Sequence, residues 1–145
     1  MSQYTVIRPL QLFEAHCRKM DIDGREIDGT VSGINVKLTV ASTPKSQAKG
    51  YSETDESPIE NKGMLFVYDD DQPLSFWMKK VKFPLDIIFF DSDMKYINHE
   101  TMDQSHDVDD ENIPKYHSKK PARFAVEFPA GWCEKNMTPD CKLSF

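Results

Sequence analysis

The sequence predicts a mainly β fold: a compact single-domain barrel, or a strongly curved antiparallel or mixed sheet, with one or two short helices. Three observations carry this expectation. Residues 63–91, GMLFVYDDDQPLSFWMKKVKFPLDIIFFD, hold three short apolar runs separated by Asp-rich and Pro-bearing breaks, a strand pattern rather than a helical one. Further runs of the same kind lie on either side, so the pairings between them are largely non-local, as in barrels and curved sheets. The chain has 145 residues, the length of one domain. A domain of that size buries roughly 68–70% of its unfolded surface and needs no disulfide to hold its core.

The elements follow in order. Residues 1–33 are expected to be an N-terminal extension packed on the domain, and 34–145 the β domain itself. Within the extension, Asp23-Gly24 and Asp28-Gly29 are turn signals that favour a hairpin between residues 13–22 and the segment after Gly24. The alternative is a helix over residues 9–20, where Leu10, Phe13 and Cys17 fall near helical spacing. From Ile34 onward, Val36, Leu38 and Val40 alternate with Lys37 and Thr39, the mark of a half-buried strand.

Thr43-Pro44 supplies an N-cap and a first-turn proline, which predicts a short helix over residues 44–49 ending at Gly50. Residues 51–62 form a polar loop. Strands follow at residues 64–68, 74–79, 85–91 and 94–100, the last two joined as a hairpin through Asp91-Ser92-Asp93. Residues 102–120 read as one long loop, and loops of that length in compact domains are often functional. Residues 122–128 are a strand, Pro129-Ala130-Gly131 breaks it, residues 132–137 form one or two helical turns, and residues 142–145 add an edge strand.

Composition narrows the function classes. Sixteen aromatics (nine Phe, five Tyr, two Trp) drive folding despite 29% charged residues. A net charge of −6 with scattered basic residues argues against nucleic acid as a partner, because phosphate neutralisation requires a basic face. Cys17, Cys133 and Cys141 are odd in number and lack CxxC spacing, which fits a reducing compartment. No basic n-region followed by an apolar run opens the chain, and no apolar run approaches the roughly 20 residues of a membrane span. The expectation is a soluble, cytoplasmic protein that does not engage a membrane.

Alternation along the strands sorts the candidate site residues. Over residues 74–79, Leu74, Phe76 and Met78 share one face, and Ser75, Trp77 and Lys79 share the other. Over residues 122–128, Arg123, Ala125 and Glu127 lie opposite Ala122, Phe124, Val126 and Phe128. Residues 85–91 are apolar on both sides, with Asp86 at the start, and are expected to be a central strand. If these strands are neighbours, Lys79, Asp86, Arg123 and Glu127 meet beside Trp77 on a second face. Such a cluster is either a set of surface ion pairs, each contributing about 0–1 kcal/mol, or a partly enclosed polar pocket with Trp77 as a wall.

Other chemistries have thinner support. Asp86 and Glu127 would be the acid–base pair of a hydrolase-like enzyme if brought together. Ser105-His106-Asp107 is a polar loop and no triad, whose members converge from distant positions. Cys133 follows Trp132 at a predicted helix start, which can lower a thiol pKa; the plainer reading is a small buried or half-buried residue. His and Cys spacings match no zinc site, and the Asp69–Asp71 and Asp107–Glu111 runs lack the alternating calcium-loop pattern. Six glycines form no phosphate-binding motif, so no cofactor and no metal is expected.

The ordered series GMLFVY (63–68), FWMK (76–79), PLDIIFFD (84–91) and PARFAVEFPAGW (121–132), approached through VASTPKSQAKG (40–50), resembles the domain-of-unknown-function 192 family over residues 34–145. The resemblance implies a compact, largely β fold with one or two short helices and no agreed substrate or catalytic residues. Many members appear exported, with a signal or lipoprotein segment of a kind this N-terminus does not display. The chain departs from the family pattern at three places. Lys80-Val81 follows FWMK in place of Asn-Thr, Met102-Asp103-Gln104-Ser105 replaces Met-x-Pro-Cys, and Gly50-Tyr51-Ser52-Glu53 replaces Gly-Leu-Met-Gly. Any site that relied on the Asn, Thr or Cys is thereby weakened, while Trp77, Lys79, Asp86, Tyr116, Arg123 and Glu127 remain in place.

Three functional expectations result. The first is a non-catalytic binding module for a small polar ligand or protein partner. Trp77 would stack the ligand, Lys79 and Arg123 would hold an anionic or polar group, Asp86 and Glu127 would orient the cations, and Tyr116 would flank the pocket from its loop. The second is a hydrolase-like enzyme using Asp86 or Glu127. The third is a structural or interaction subunit with no small-molecule site.

Overall fold

A computed structural model describes residues 19–145. The hairpin-or-helix choice for the N-terminus falls largely outside them; its described end, Lys19–Ile22, is the short helix α1. Segment β1 (Glu26–Val31), from within the extension, pairs antiparallel with β2 (Ile34–Ala41) across Ser32-Gly33 and is a full member of the sheet.

Helix α2 (Pro44–Lys49) forms where the Thr-Pro signal predicts it. Thr43 Oγ1 accepts from the Ser46 backbone N–H and Ser46 Oγ accepts from that of Thr43, satisfying two N-terminal donors at once. Gly50 closes the helix at φ 45°, its N–H donating to the Ser46 carbonyl. This crossover lets β3 (Lys62–Gln72) run parallel to β2, since a parallel pair cannot be joined by a tight turn.

The remaining strands are β4 (Ser75–Trp77), β5 (Leu85–Phe90), β6 (Tyr96–Met102), β7 (Lys115–His117), β8 (Ala122–Pro129) and β9 (Leu143–Ser144). Helix α3 (Trp132–Asn136) follows β8. Seven strands form one strongly curved, mixed sheet in the order β6-β5-β8-β3-β2-β1-β9, and β4 and β7 form a separate two-stranded sheet. The result is an open half-barrel. Its two edges touch at one place, where Lys95 bridges to Lys142 and the Leu143 N–H donates to the Met94 carbonyl at 3.1 Å.

Two corrections to the expected elements bear on function. Residues 102–120 are not one long loop: they contain a 3-10 turn (Asp110–Asn112) and β7, which pairs with β4. The predicted strand at 74–79 shrinks to three residues and leaves the main sheet, so it does not neighbour β5 or β8. Pro73 and Pro84 bracket the segment, and a proline has no N–H to donate to a sheet ladder.

The sheet is apolar on both faces. One core gathers Leu38, Leu65, Ile88, Phe90, Phe124 and Phe128 under α3 and β9. The other gathers Phe66, Leu74, Met78, Leu85, Ile87 and Phe89 beneath β4 and its flanks. Strand β5, read from sequence as apolar on both sides, has all six residues buried. Between β3 and β8 the backbones approach closely, because a Cβ at Gly63 would lie 2.1 Å from the Glu127 carbonyl oxygen.

Candidate functional site

The six sequence-predicted residues separate in space. Asp86 and Glu127 come from neighbouring strands, but the register pairs Asp86 with Phe128 and Ile87 with Glu127. The two carboxylates therefore point to opposite faces of the sheet. Among the described residues no ion pair joins any two of Lys79, Asp86, Arg123 and Glu127. The shared mixed-charge face does not form.

Asp86 is 1% exposed and works as a cap. Its Oδ2 accepts from the backbone N–H groups of Gly131 (3.1 Å) and Cys133 (2.9 Å), and its Oδ1 accepts from Thr101 Oγ1 (2.8 Å). Those backbone donors are the orphan N–H groups at the start of α3, supplied with an acceptor from a distant strand. Gly131 sits at φ 94° and turns the chain so that both N–H groups converge on that oxygen. Cys133, at the same helix start, has its thiol pushed up by burial and then by the neighbouring Asp86, the opposite of an activated nucleophile.

Lys79 ion-pairs with Asp110 at 2.8 Å and lies 5.3 Å from the centroid of the Trp77 ring. Tyr116 sits opposite Phe76 in the β4–β7 pairing, and its hydroxyl accepts from the Asp103 N–H at 3.4 Å. Arg123 Nε donates to the Tyr68 carbonyl at 3.0 Å.

Trp77 and Glu127 do share a site. A pocket of about 220 Å³ opens between the end of α2, strand β3 and strand β4. Glu127 lines it together with Gly50, Tyr51, Tyr68, Phe76 and Trp77. Trp77 is 40% exposed and stands at the rim, while Glu127 is 5% exposed and lies deep. Gly50 borders the carboxyl at φ 45°, a backbone conformation that favours glycine, and a Cβ there would make ordinary contact with Phe66 Cζ at 3.6 Å and Glu127 Oε1 at 3.9 Å.

Among the described residues, the Glu127 carboxyl has no hydrogen-bond partner and no cation beside it. Burial alone pushes its pKa up to about 8, so at neutral pH it is largely a neutral acid. Tyr51 and Tyr68 are held above the ordinary phenol range by burial and by Glu127.

Sequence reasoning missed Gly50, Tyr51, Tyr68 and Phe76 as pocket residues. The one sign of the first two was the Gly50-Tyr51-Ser52-Glu53 departure from the family pattern. Among the described residues no three His, Cys, Asp or Glu side chains are placed to hold a metal ion. Nor is any helix among them long and apolar enough to cross a membrane.

The fold and this site define a class: a small, mainly β domain with no recognisable catalytic constellation or metal centre among the described residues. Residues 26–145 match the DUF192 family (Uncharacterized ACR), and the chain belongs to that family. No curated protein matches the chain. Among the solved structures similar to it are two crystal structures. One, of a candidate transcription regulator from Sinorhizobium meliloti 1021, is 21% identical with a TM-score of 0.72, covering 84% of this chain and 95% of that one. The other, a protein of unknown function from Novosphingobium aromaticivorans DSM 12444, is 24% identical with a TM-score of 0.70, covering 83% and 85%. At these identities the likeness is one of fold.

Proposed function

We propose that this protein is a non-catalytic binding module that takes a small polar ligand in the pocket between Trp77 and Glu127. The observation that carries the reading is Glu127: a buried carboxyl with no hydrogen-bond partner among the described residues, facing open volume beneath an exposed Trp. The carboxyl opens onto the pocket rather than being sealed from it, so a ligand that displaces solvent there can hydrogen-bond to it in a setting of low dielectric. A volume of about 220 Å³ lies below the roughly 300–1,000 Å³ of drug-sized sites, so the occupant is a small molecule or a head group.

Lys79 and Arg123 are spent elsewhere, on Asp110 and on the Tyr68 carbonyl, so the anion-holding role assigned to them does not enter the reading. The hydrolase alternative loses its second carboxylate, because Asp86 caps α3 on the opposite face. A thermal-shift screen against sugars, nucleotides, small acids and small amines tests the module. We expect at least one stabilising compound whose effect falls severalfold in Trp77→Ala. A screen without hits, or hits indifferent to that substitution, would favour a structural or interaction subunit.

A further inference from the structure

We infer that the ligand class is an organic ammonium ion, held with its charge on the Glu127 carboxylate and its carbon skeleton among Tyr51, Tyr68, Phe76 and Trp77. The inference rests on the binding-module reading and names the ligand for the same pocket. Its basis is the mismatch between what Glu127 needs and what the protein supplies.

Among the described residues, the elements packed around Glu127 offer it no buried cation. Its register partners on the flanking strands, Met64 on β3 and Ile87 on β5, are apolar. Titratable groups facing it are the phenols of Tyr51, from the segment after α2, and Tyr68, from β3. Strand β4 contributes Ser75, Phe76 and Trp77, none of them charged; the ammonium of Lys79, just beyond it, lies 5.3 Å from the Trp77 ring centroid at the exposed rim, where Asp110 pairs with it at 2.8 Å. Lys49 borders the pocket but is exposed to solvent, where screening leaves its charge little influence on a buried group.

A carboxyl set deep in an aromatic-walled pocket is the chemistry that recognises an alkylammonium. The aromatic faces attract the cation, and the carboxylate accepts its N–H protons. An anionic ligand would meet an acidic group with no counter-charge, and an uncharged one would forgo the ion pair.

Proton balance follows. Near neutral pH the bare pocket carries a protonated Glu127. Binding of an ammonium expels that proton to solvent, leaving carboxylate and cation paired. Affinity should therefore rise with pH, approaching tenfold per pH step below about 8 and levelling above it, until the amine itself deprotonates near about 10.

Three probes of matched shape test this: isoamylammonium, isoamyl alcohol and isovalerate, each titrated into the full chain. Trp77 fluorescence provides the readout, since the other Trp, Trp132, is buried and stacked on Phe128. Expected is saturable binding of the ammonium, at least tenfold tighter than the alcohol, with no detectable isovalerate binding. Proton release on binding should be close to one near pH 6.5 and vanish by pH 9.5. Glu127→Gln should weaken ammonium binding at least tenfold and abolish the pH dependence.

Equal affinity for ammonium and alcohol, a preference for isovalerate, or an unaltered Glu127→Gln would overturn the ammonium assignment. Each of those results still leaves an occupied pocket, so the binding-module reading would stand. If none of the three probes binds, and the broader screen also finds nothing, both readings fall together.

Discussion

At the scale of single residues, the two buried carboxylates illustrate opposite solutions to one problem. Among the described residues, three donors meet Asp86 and none hydrogen-bonds to Glu127, so their substitutions should behave in opposite ways. Asp86→Ala strands the Gly131 and Cys133 N–H groups and the Thr101 hydroxyl. It should lower stability by about 2–4 kcal/mol, read from denaturant midpoints. Glu127 keeps a proton in the folded chain up to about pH 8 that the unfolded chain sheds near 4.5. Stability should therefore fall as pH rises through that window, by up to about 1.4 kcal/mol per pH step, and flatten above it. Glu127→Gln removes the penalty. It should match the wild type at pH 4 and exceed it by a few kcal/mol at pH 9; parallel stability curves for the two proteins would show Glu127 to be solvated.

At the scale of elements, the pocket lies where two segments end: helix α2 stops at Gly50, and strand β4 is confined to three residues. Within the sheet, β3 passes β8 at Gly63 at a distance only glycine allows. Gly63→Ala would drive a methyl into the Glu127 carbonyl and should destabilise by at least about 3 kcal/mol, measurable by thermal or chemical denaturation. Helix α2 was legible in the sequence down to its caps, because capping chemistry is local: Thr43, Pro44, Ser46 and Gly50 lie within one short segment. Strand β7 was not legible, because KYH has no alternation long enough to read and forms only where β4 offers it an edge.

At the scale of the molecule, the half-barrel is layered from a protected centre to looser margins. Strands β5 and β8 lie within the sheet with nearly every residue buried, whereas β4 and β7 pair only with each other near the surface. Amide hydrogen exchange should be slowest in β5 and β8 and faster by orders of magnitude in β4 and β7. That gradient sets Trp77 on a loosely held strand over a rigid floor carrying Glu127, an arrangement in which the rim adjusts to a ligand and the floor does not. Uniform protection across both sheets would contradict it.

The sequence by itself determined the β class, the single domain, the doubly buried β5 and the capped helix α2, because alternation and capping are encoded between near neighbours. Only the tertiary structure decided which charges meet. Alternation says that Asp86 and Glu127 each oppose the apolar residues next to them, but not which faces of two strands coincide. That depends on register, and a shift of one residue exchanges the faces. The pairing of Ile87, not Asp86, with Glu127 sent one carboxylate to cap a helix and left the other alone in a pocket.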